Sequence, residues 1–325
     1  MKRNKFFRVL LAVCLMLALS AQALAAGYIE VDRDVSLTIS YHDGETPLRG
    51  AYFAIYQIAE ADTTGALHLI SPYDAAEDID INIFGKSDET DAAWLTLAST
   101  LEVYVLRERI TPLDSGRTGE DGVLKFPTSS AVTMKPGLYL VIGNRMSQGG
   151  YYYDPQPFLV MLPTIDTEEN VWDYDVEVSE KFSKRRIPSP PGGGGGEDQK
   201  FQKVWNDGGA ADTRPESITV DLLRNGKVYD TVTLTAKDNW RYTWKNLDGS
   251  YRYLVSERVP EGYTMTATRD GETLVVTNTG EQPKKDYDDR LPQTGLVWWP
   301  VGLLAVGGVG CLLVAGILKK RERNG

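Results

Sequence analysis

The sequence is poor in the residues that form disulfides, metal sites and catalytic centres. It has only two cysteines and two histidines in 325 residues. Cys14 and Cys311 lie in apolar runs at opposite ends of the chain, so the long segment between those runs contains no disulfide. His42 and His68 stand apart without metal-ligand spacing, and no Ser/His/Asp set or phosphate loop is present. These absences predict no cofactor, no metal site and no turnover enzyme.

Long apolar runs occur only at the two ends. Four basic residues within the first eight positions precede an apolar core at 9–19 and a small-residue cleavage site at 23–25, which predicts a signal peptide over residues 1–25. Near the other end, residues 296–318 are long and apolar enough to cross a bilayer as a helix, and a basic stretch at 319–323 follows. An exported precursor held in the membrane is therefore expected.

Positive charge is scarce between these end segments. The formal net charge of the whole chain is −10, and residues 26–290 hold 27 basic and 44 acidic residues, a net charge of about −17. Such a surface repels polyanions and argues against nucleic acid or an anionic membrane surface as a partner.

The central part of the chain carries the alternation that is typical of strands. Turn residues separate short alternating runs at 35–39, 52–56, 138–142, 158–161 and 174–178, and again at 217–223, 228–234, 240–244, 251–255 and 274–276. One insertion has helical spacing instead, with apolar residues at 94, 97, 98, 101 and 105. We therefore predict an all-β fold of two β-sandwich (Ig-like) modules, the first with one inserted helix.

Composition sets the predicted boundaries. The first module covers residues 26–183, a Pro-rich and then Gly-rich linker covers 184–200, and the second module covers 201–280. A polar spacer at 281–290 leads to the C-terminal segment 291–325.

The C-terminal segment resembles the LPxTG cell-wall sorting signal of Gram-positive surface proteins, in which a pentapeptide precedes a membrane span and a basic tail. The resemblance implies that a sortase cysteine attacks the Thr294 carbonyl, cuts before Gly295 and passes the acyl group to an amine. The matching residues are Leu291, Pro292, Gln293, Thr294 and Gly295.

The second module resembles the Cna B-type domain, a β-sandwich of Gram-positive adhesins and pilins. The matching segments are 203–207 (KVWND), 214–216 (RPE), 239–240 (NW), 259–263 (VPEGY) and 277–279 (TNT). Such domains often carry an isopeptide bond between a first-strand lysine and a last-strand asparagine, promoted by an acid. By motif position these residues are Lys203, Asn278 and Glu257.

The chemistry explains these residue types. Burial favours the neutral, nucleophilic amine of a lysine and the protonated form of a glutamic acid. A protonated glutamic acid can polarise the asparagine carboxamide and move protons while ammonia leaves.

The first module resembles the N-terminal domain of sortase-assembled shaft pilins. The matching segments include 36–39 (SLTI), 47–53 (PLRGAYF), 110–112 (ITP) and 136–141 (PGLYLV). No lysine stands at the expected position within Ser40-Tyr41-His42, and the acid position falls on Gly143, so we predict no internal bond in this module.

The last strand of that module matches the pilin motif WxxxVxVYPK in part. Trp172, Val176, Val178 and Lys181 match, whereas Ser179 and Glu180 replace Tyr-Pro. The resemblance makes Lys181 the candidate acceptor for the next subunit's C-terminal threonine. An ordinary strand followed by a solvated lysine explains the pattern equally well.

These resemblances imply a pilin-type surface subunit. Sortase joins it to neighbouring pilin subunits or to peptidoglycan, and it stays in the cell wall of a Gram-positive bacterium. The alternative is a non-polymerising wall-anchored adhesin, or a minor or basal pilin, with the Cna B-type domain as a stalk and a host extracellular protein or glycan as partner.

The sorting signal gives a first prediction. Replacing both Pro292 and Thr294 with alanine should leave the protein in the membrane fraction, because sortase then has no substrate while the apolar run still holds the chain. Gln293→Ala, at the variable motif position, should keep wall attachment. Cell fractionation and immunoblotting measure both, and wall attachment of the double variant would contradict the assignment.

Overall fold

The computed structural model describes residues 27–77, 91–166, 169, 171–187 and 196–280. The predicted signal peptide, sorting motif and membrane-spanning helix lie outside these residues. Within the described part, no helix has the length and hydropathy needed to cross a bilayer.

The described residues are mostly β-strand with one α-helix, α1 (Asp91–Arg107). The strands of the first module are β1 (Ser36–Ser40), β2 (His42–Asp43), β3 (Thr46–Pro47), β4 (Tyr52–Ala61), β5 (Leu67–Leu69), β6 (Asp114–Arg117), β7 (Val123–Phe126), β8 (Gly137–Gly143), β9 (Met146–Gln148), β10 (Tyr151–Pro155), β11 (Phe158–Leu162), β12 (Thr164–Asp166), β13 (Val171–Asp173), β14 (Asp175–Ser179) and β15 (Phe182–Arg186). Those of the second are β16 (Glu197–Asn206), β17 (Ser217–Arg224), β18 (Lys227–Thr235), β19 (Arg241–Leu247), β20 (Tyr253–Glu257), β21 (Tyr263–Asp270) and β22 (Thr273–Gly280).

The sequence prediction of a mostly β chain with one helix is confirmed. Each of the ten predicted strands overlaps an observed strand that begins within two residues of it. The helix ends at Arg107, close to Arg109, which has a left-handed backbone (φ 54°), and before Pro112, which cannot continue a helix.

Strands β4 and β8 form the centre of the first module and are buried on both faces. They belong to a sheet of order β11-β8-β4-β5, with β6 also paired to β4. Alternate residues of β8 enter different clusters: Tyr139 and Val141 pack in the core of the first module, whereas Leu140 and Ile142 join the cluster that contains α1. Such burial on both sides explains why all seven residues of β8 are buried.

A second sheet closes the core of the first module. Strand β1 runs parallel to β14 and antiparallel to β7, and it contributes Leu37 and Ile39, both fully buried. A third sheet has the order β15-β10-β9.

Two sheets face each other in the second module, with orders β19-β16-β22-β21 and β18-β17-β20. An Asn225-Gly226 turn joins β17 to β18, and both residues have positive φ (52° and 73°), as a two-residue hairpin needs. The first strand β16 and the last strand β22 are parallel neighbours. Strand β16 begins at Glu197, within the stretch that the sequence predicted as linker.

The two modules pack together, and the described residues belong to one compact unit. One hydrophobic cluster includes Leu101 and Val105 of α1 together with residues of both modules, among them Leu140 and Val255. The modules therefore share a core through the helix.

Each module also contributes one arginine to the contact between the modules. From the first, Arg145 binds Asp154 through two nitrogens at 2.7 and 2.8 Å. Its Nη1 also donates hydrogen bonds to the second module, to the Glu197 carboxylate at 2.8 Å and to the Gly249 and Tyr251 carbonyls at 2.7 and 2.9 Å.

In the opposite direction, Arg252 of the second module pairs with Glu102 of α1 through two nitrogens and donates to the Gly143 carbonyl at 3.2 Å. The Arg252 and Glu102 side chains are only 12% and 3% exposed. We call these two groups of contacts the arginine joint.

The arginine joint predicts a stability effect. Arg145→Met keeps the apolar stem but leaves the largely buried Asp154 without its partner, which should lower the free energy of unfolding by about 3 kcal/mol. Urea unfolding of residues 27–280 measures the change. Arg186→Met, at an exposed position, is the matched control, and equal midpoints for the two variants would contradict the role of the joint.

Candidate cross-link site

Alternation along the two central strands points Lys203 and Asn278 inward. In β16 the buried positions are Gln199, Phe201 and Lys203, and in β22 they are Leu274, Val276 and Asn278. Lys203 lies opposite Val276, two residues before Asn278 on the same face, so the parallel pairing places the lysine and asparagine side by side.

Glu257 comes from the facing sheet. It is the last residue of β20, a strand buried along its whole length. Glu257 Oε2 lies 3.1 Å from Lys203 Nζ, and Glu257 Oε1 accepts a hydrogen bond from Asn278 Nδ2 at 2.8 Å. The three residues that the sequence selected are thus brought together, with Glu257 in contact with both the amine and the carboxamide.

The cluster has no contact with solvent. The Lys203 and Glu257 side chains are 0% exposed, and so is Asn278 as a residue. Lys203 Nζ, Glu257 Oε2 and Asn278 Oδ1 make no hydrogen bond of good geometry within the described part of the chain, although the amine and carboxylate are at ion-pair distance. Buried polar atoms without hydrogen bonds cost free energy. The cluster is therefore poorly suited to serve only as a structural ion pair.

Burial sets the protonation of the cluster. It lowers the pKa of Lys203 to about 8, against the opposing effect of the Glu257 carboxylate. Burial also raises the pKa of Glu257, and the nearby Lys203 opposes that shift. Both shifts favour the neutral pair, an amine and a carboxylic acid.

Aromatic rings enclose the amine. Lys203 Nζ lies 4.7 Å from the centre of the Trp205 ring, which packs edge-on against Trp240 at 5.3 Å and Tyr263 at 5.1 Å. This wall keeps the amine dehydrated, and it consists of three residues from the segments that resemble the Cna B-type domain.

The arrangement is suited to one reaction, the formation of an amide. In that reaction neutral Lys203 Nζ would attack Asn278 Cγ, a new N–C bond would form, the Cγ–Nδ2 bond would break, and ammonia would leave. Glu257 would accept a proton from the attacking nitrogen and supply one to the departing nitrogen, so the carboxyl group would be unchanged at the end. No oxidant, metal or cofactor enters the balance.

The corresponding positions of the first module hold different groups. Tyr41 is fully buried, and its pKa is raised by burial and by Glu180. At Gly143 a Cβ atom would stand 2.6 Å from Pro155 and 2.7 Å from Phe53, so β8 has no space for an acidic side chain there. The absence of a bond in this module stays a prediction.

Lys181 and Lys184 differ sharply although they are three residues apart. Lys181 is exposed in the connection between β14 and β15, and its ammonium makes no ion pair with any described residue. Lys184 is paired with Asp43 and lies 4.3 Å from the Tyr151 ring centre.

The burial of Glu180 was not predicted from the sequence. This residue is buried, and burial raises its pKa to about 8, with the Gln156 N–H opposing the shift. The sign in the sequence that this position is unusual is the replacement of proline by glutamic acid in the pilin-like motif. The sorting-motif residues 291–295 lie outside the described residues, so the structure says nothing of them.

Comparisons with known proteins agree with the second module's assignment. Residues 200–279 match the family model of the Cna protein B-type domain, the same domain that the second module resembles in its sequence motifs. A collagen adhesin of Staphylococcus aureus is 32% identical over 104 residues, which is 29% of this chain and 9% of that protein.

Two solved structures align with the chain at low identity and low TM-score. A single B repeat unit of the Staphylococcus aureus collagen-binding surface protein Cna aligns with 15% identity and a TM-score of 0.25, over 77% of this chain and 99% of the other. The full-length major pilin SpaD of Corynebacterium diphtheriae aligns with 17% identity and a TM-score of 0.30, over 78% and 65%.

The cross-link gives a mass prediction. Residues 27–280 should have an intact mass lower than the sequence mass by one ammonia, and Glu257→Ala should restore the full mass because no group then moves the protons. Glu261→Ala, an exposed acid four residues further on, is the control and should lose ammonia like the wild type. A wild-type protein of full mass would refute the cross-link.

Proposed function

We propose that this protein is a structural subunit of the Gram-positive cell surface, of the pilin type. Its Cna B-type domain contains an isopeptide bond between Lys203 and Asn278, promoted by Glu257. Sortase cleaves between Thr294 and Gly295 and joins Thr294 to another subunit or to peptidoglycan. The order of domains that we propose is the one predicted from the sequence, with the first module extended to the end of β15 at Arg186 and the second beginning with β16 at Glu197.

One observation carries the structural part of this proposal: the buried contact of amine, acid and carboxamide between the first and last strands of the second module. A bond there closes the module from end to end, so pulling on its termini cannot separate β16 from β22. A load-bearing surface protein gains from such closure, whereas an enzyme has no use for a reaction that runs once.

Polymerisation is supported by the setting of Lys181. A sortase acyl-enzyme needs an accessible amine, and Lys181 is exposed and free of ion pairs in the described residues, directly after the strand that resembles the pilin motif. Contacts between a C-terminal threonine and a lysine elsewhere on the next copy are heterologous and do not close, so they propagate into a fibre.

A second candidate is a non-polymerising wall-anchored adhesin, or a minor or basal pilin. The observation that favours it is the loss of Tyr-Pro from the pilin motif, where Ser179 and Glu180 stand instead. The similarity of part of the chain to a collagen adhesin is consistent with it. In this case the first module would contact a host extracellular protein or glycan, and the Cna B-type domain would serve as a stalk.

The test is the state of the protein in wall extracts of the native bacterium. We expect a ladder of high-mass species that survives boiling in detergent, because each joint is an amide. Lys181→Ala should reduce the ladder to monomer while wall anchoring persists, since anchoring needs only Thr294.

Lys184→Ala is the matched control and should leave the ladder intact, because that ammonium is engaged by Asp43. A ladder that persists in Lys181→Ala and disappears in Lys184→Ala would identify Lys184 as the acceptor in place of Lys181. A single monomer band in the wild type would favour the adhesin or minor-subunit function.

A further inference from the structure

Helix α1 belongs to the first module, yet one of its faces lies on the second. Thr100 and Arg107 are seven residues apart and share that face. Thr100 Oγ1 accepts a hydrogen bond from the Ala267 N–H of β21 at 2.8 Å, in a fully buried position. Arg107 Nη1 donates to the main-chain carbonyl of Glu257 at 3.4 Å.

Strand β21 is the edge of its sheet, and α1 covers that edge. Within the antiparallel pair of β21 and β22, Met265 lies opposite Asn278 and Ala267 lies opposite Val276. The free N–H of an edge strand needs a partner when it is buried, and Thr100 supplies it. The helix thereby fixes the strand that flanks the carboxamide.

The arginine joint fixes the strand that carries the acid. Arg252 immediately precedes β20, and both of its terminal nitrogens contact the Glu102 carboxylate of α1. Together with the Arg107 contact, α1 therefore holds β20 at both ends, from Arg252 to Glu257. None of these helix residues touches the reacting atoms.

We infer that docking of α1 on β20 and β21 completes the cross-link site, so that the bond between Lys203 and Asn278 forms only once the first module is folded against the second. The inference rests on the proposed cross-link. Helix α1 is a positioning element: it contributes cover and strand placement but no reacting group.

The expected size of the effect follows from solvation. Without α1, β20 and β21 lose their cover and water gains access to the cluster. A lysine with an ordinary pKa is neutral about 200-fold less often at pH 7 than one with a pKa of about 8. Even partial hydration should therefore slow the reaction at least tenfold.

The test follows ammonia loss with time in the two-module chain. Residues 27–280 are made in a short pulse of cell-free translation, and intact mass is measured in samples quenched with denaturant. Glu102→Arg places like charges at the joint and should lengthen the half-time at least tenfold. The exchanged pair, Glu102→Arg with Arg252→Glu, restores opposite charges and should return it to within about threefold of wild type.

Two further variants keep the test decisive if Glu102→Arg fails to fold. Thr100→Val is close in shape but leaves the Ala267 N–H without a partner, and it should slow cross-linking at least threefold. Leu95→Ala, at an exposed helix position, should have no effect. A wild-type rate in Thr100→Val, or no rescue by the exchanged pair, would overturn the inference, whereas a wild-type chain that never loses ammonia would refute the cross-link itself.

Discussion

The packing of α1 against both modules is the contact on which the described structure depends. On one side the helix covers the sheet of β4 and β8, which would otherwise expose Tyr56, Leu140 and Ile142, and on the other side it covers β20 and β21. A single amphipathic stripe could not serve two partners, and the helix accordingly buries residues around most of its C-terminal half, from Leu97 to Val105. The stability of either module is thus linked to the presence of the other.

Burial also decides the energetics of the lysine cluster. Taking an ammonium and a carboxylate out of water costs several kcal/mol for each ion, and the attraction between them repays this only with good geometry and further hydrogen bonds. Lys203 Nζ and Glu257 Oε2 lack those further bonds among the described residues, and only Glu257 Oε1 has one, from Asn278. The burial that disfavours the ion pair therefore also favours the neutral amine and acid that the proposed reaction needs. The proposed product is a neutral amide, which no longer has an amine that could carry a buried charge.

Local patterns predicted the parts of the structure that local forces decide. Period-two alternation located the strands, and helical spacing located α1, because each reflects which face of an element is buried. The cross-link residues were found by motif position, and their inward direction agrees with the alternation of Phe201 with Lys203 and of Val276 with Asn278.

The arginine joint could not be predicted in this way. Arg145 and Glu197 are 52 residues apart, and Arg252 and Glu102 are 150 apart, so nothing near either arginine distinguishes it from a solvated surface charge. For the same reason the start of β16 at Glu197 was assigned to the linker. The glycines at 192–196 directly precede β16 and give no sign of a strand. Its first residue, Glu197, is held by Arg145 of the first module.

Glu180 stands where the pilin-like motif has proline, and it precedes the candidate acceptor Lys181. In an exposed strand end, neighbouring side chains point in opposite directions, so a residue anchored inward turns the next one outward. Glu180 is buried, and with a pKa of about 8 it is mostly protonated at neutral pH, which lowers the cost of its burial. Lys181, the next residue, is exposed, which is the orientation that an attacking amine needs. The replacement of Tyr-Pro by Ser-Glu therefore counts for the adhesin or minor-subunit function, whereas the exposure of Lys181 counts for polymerisation.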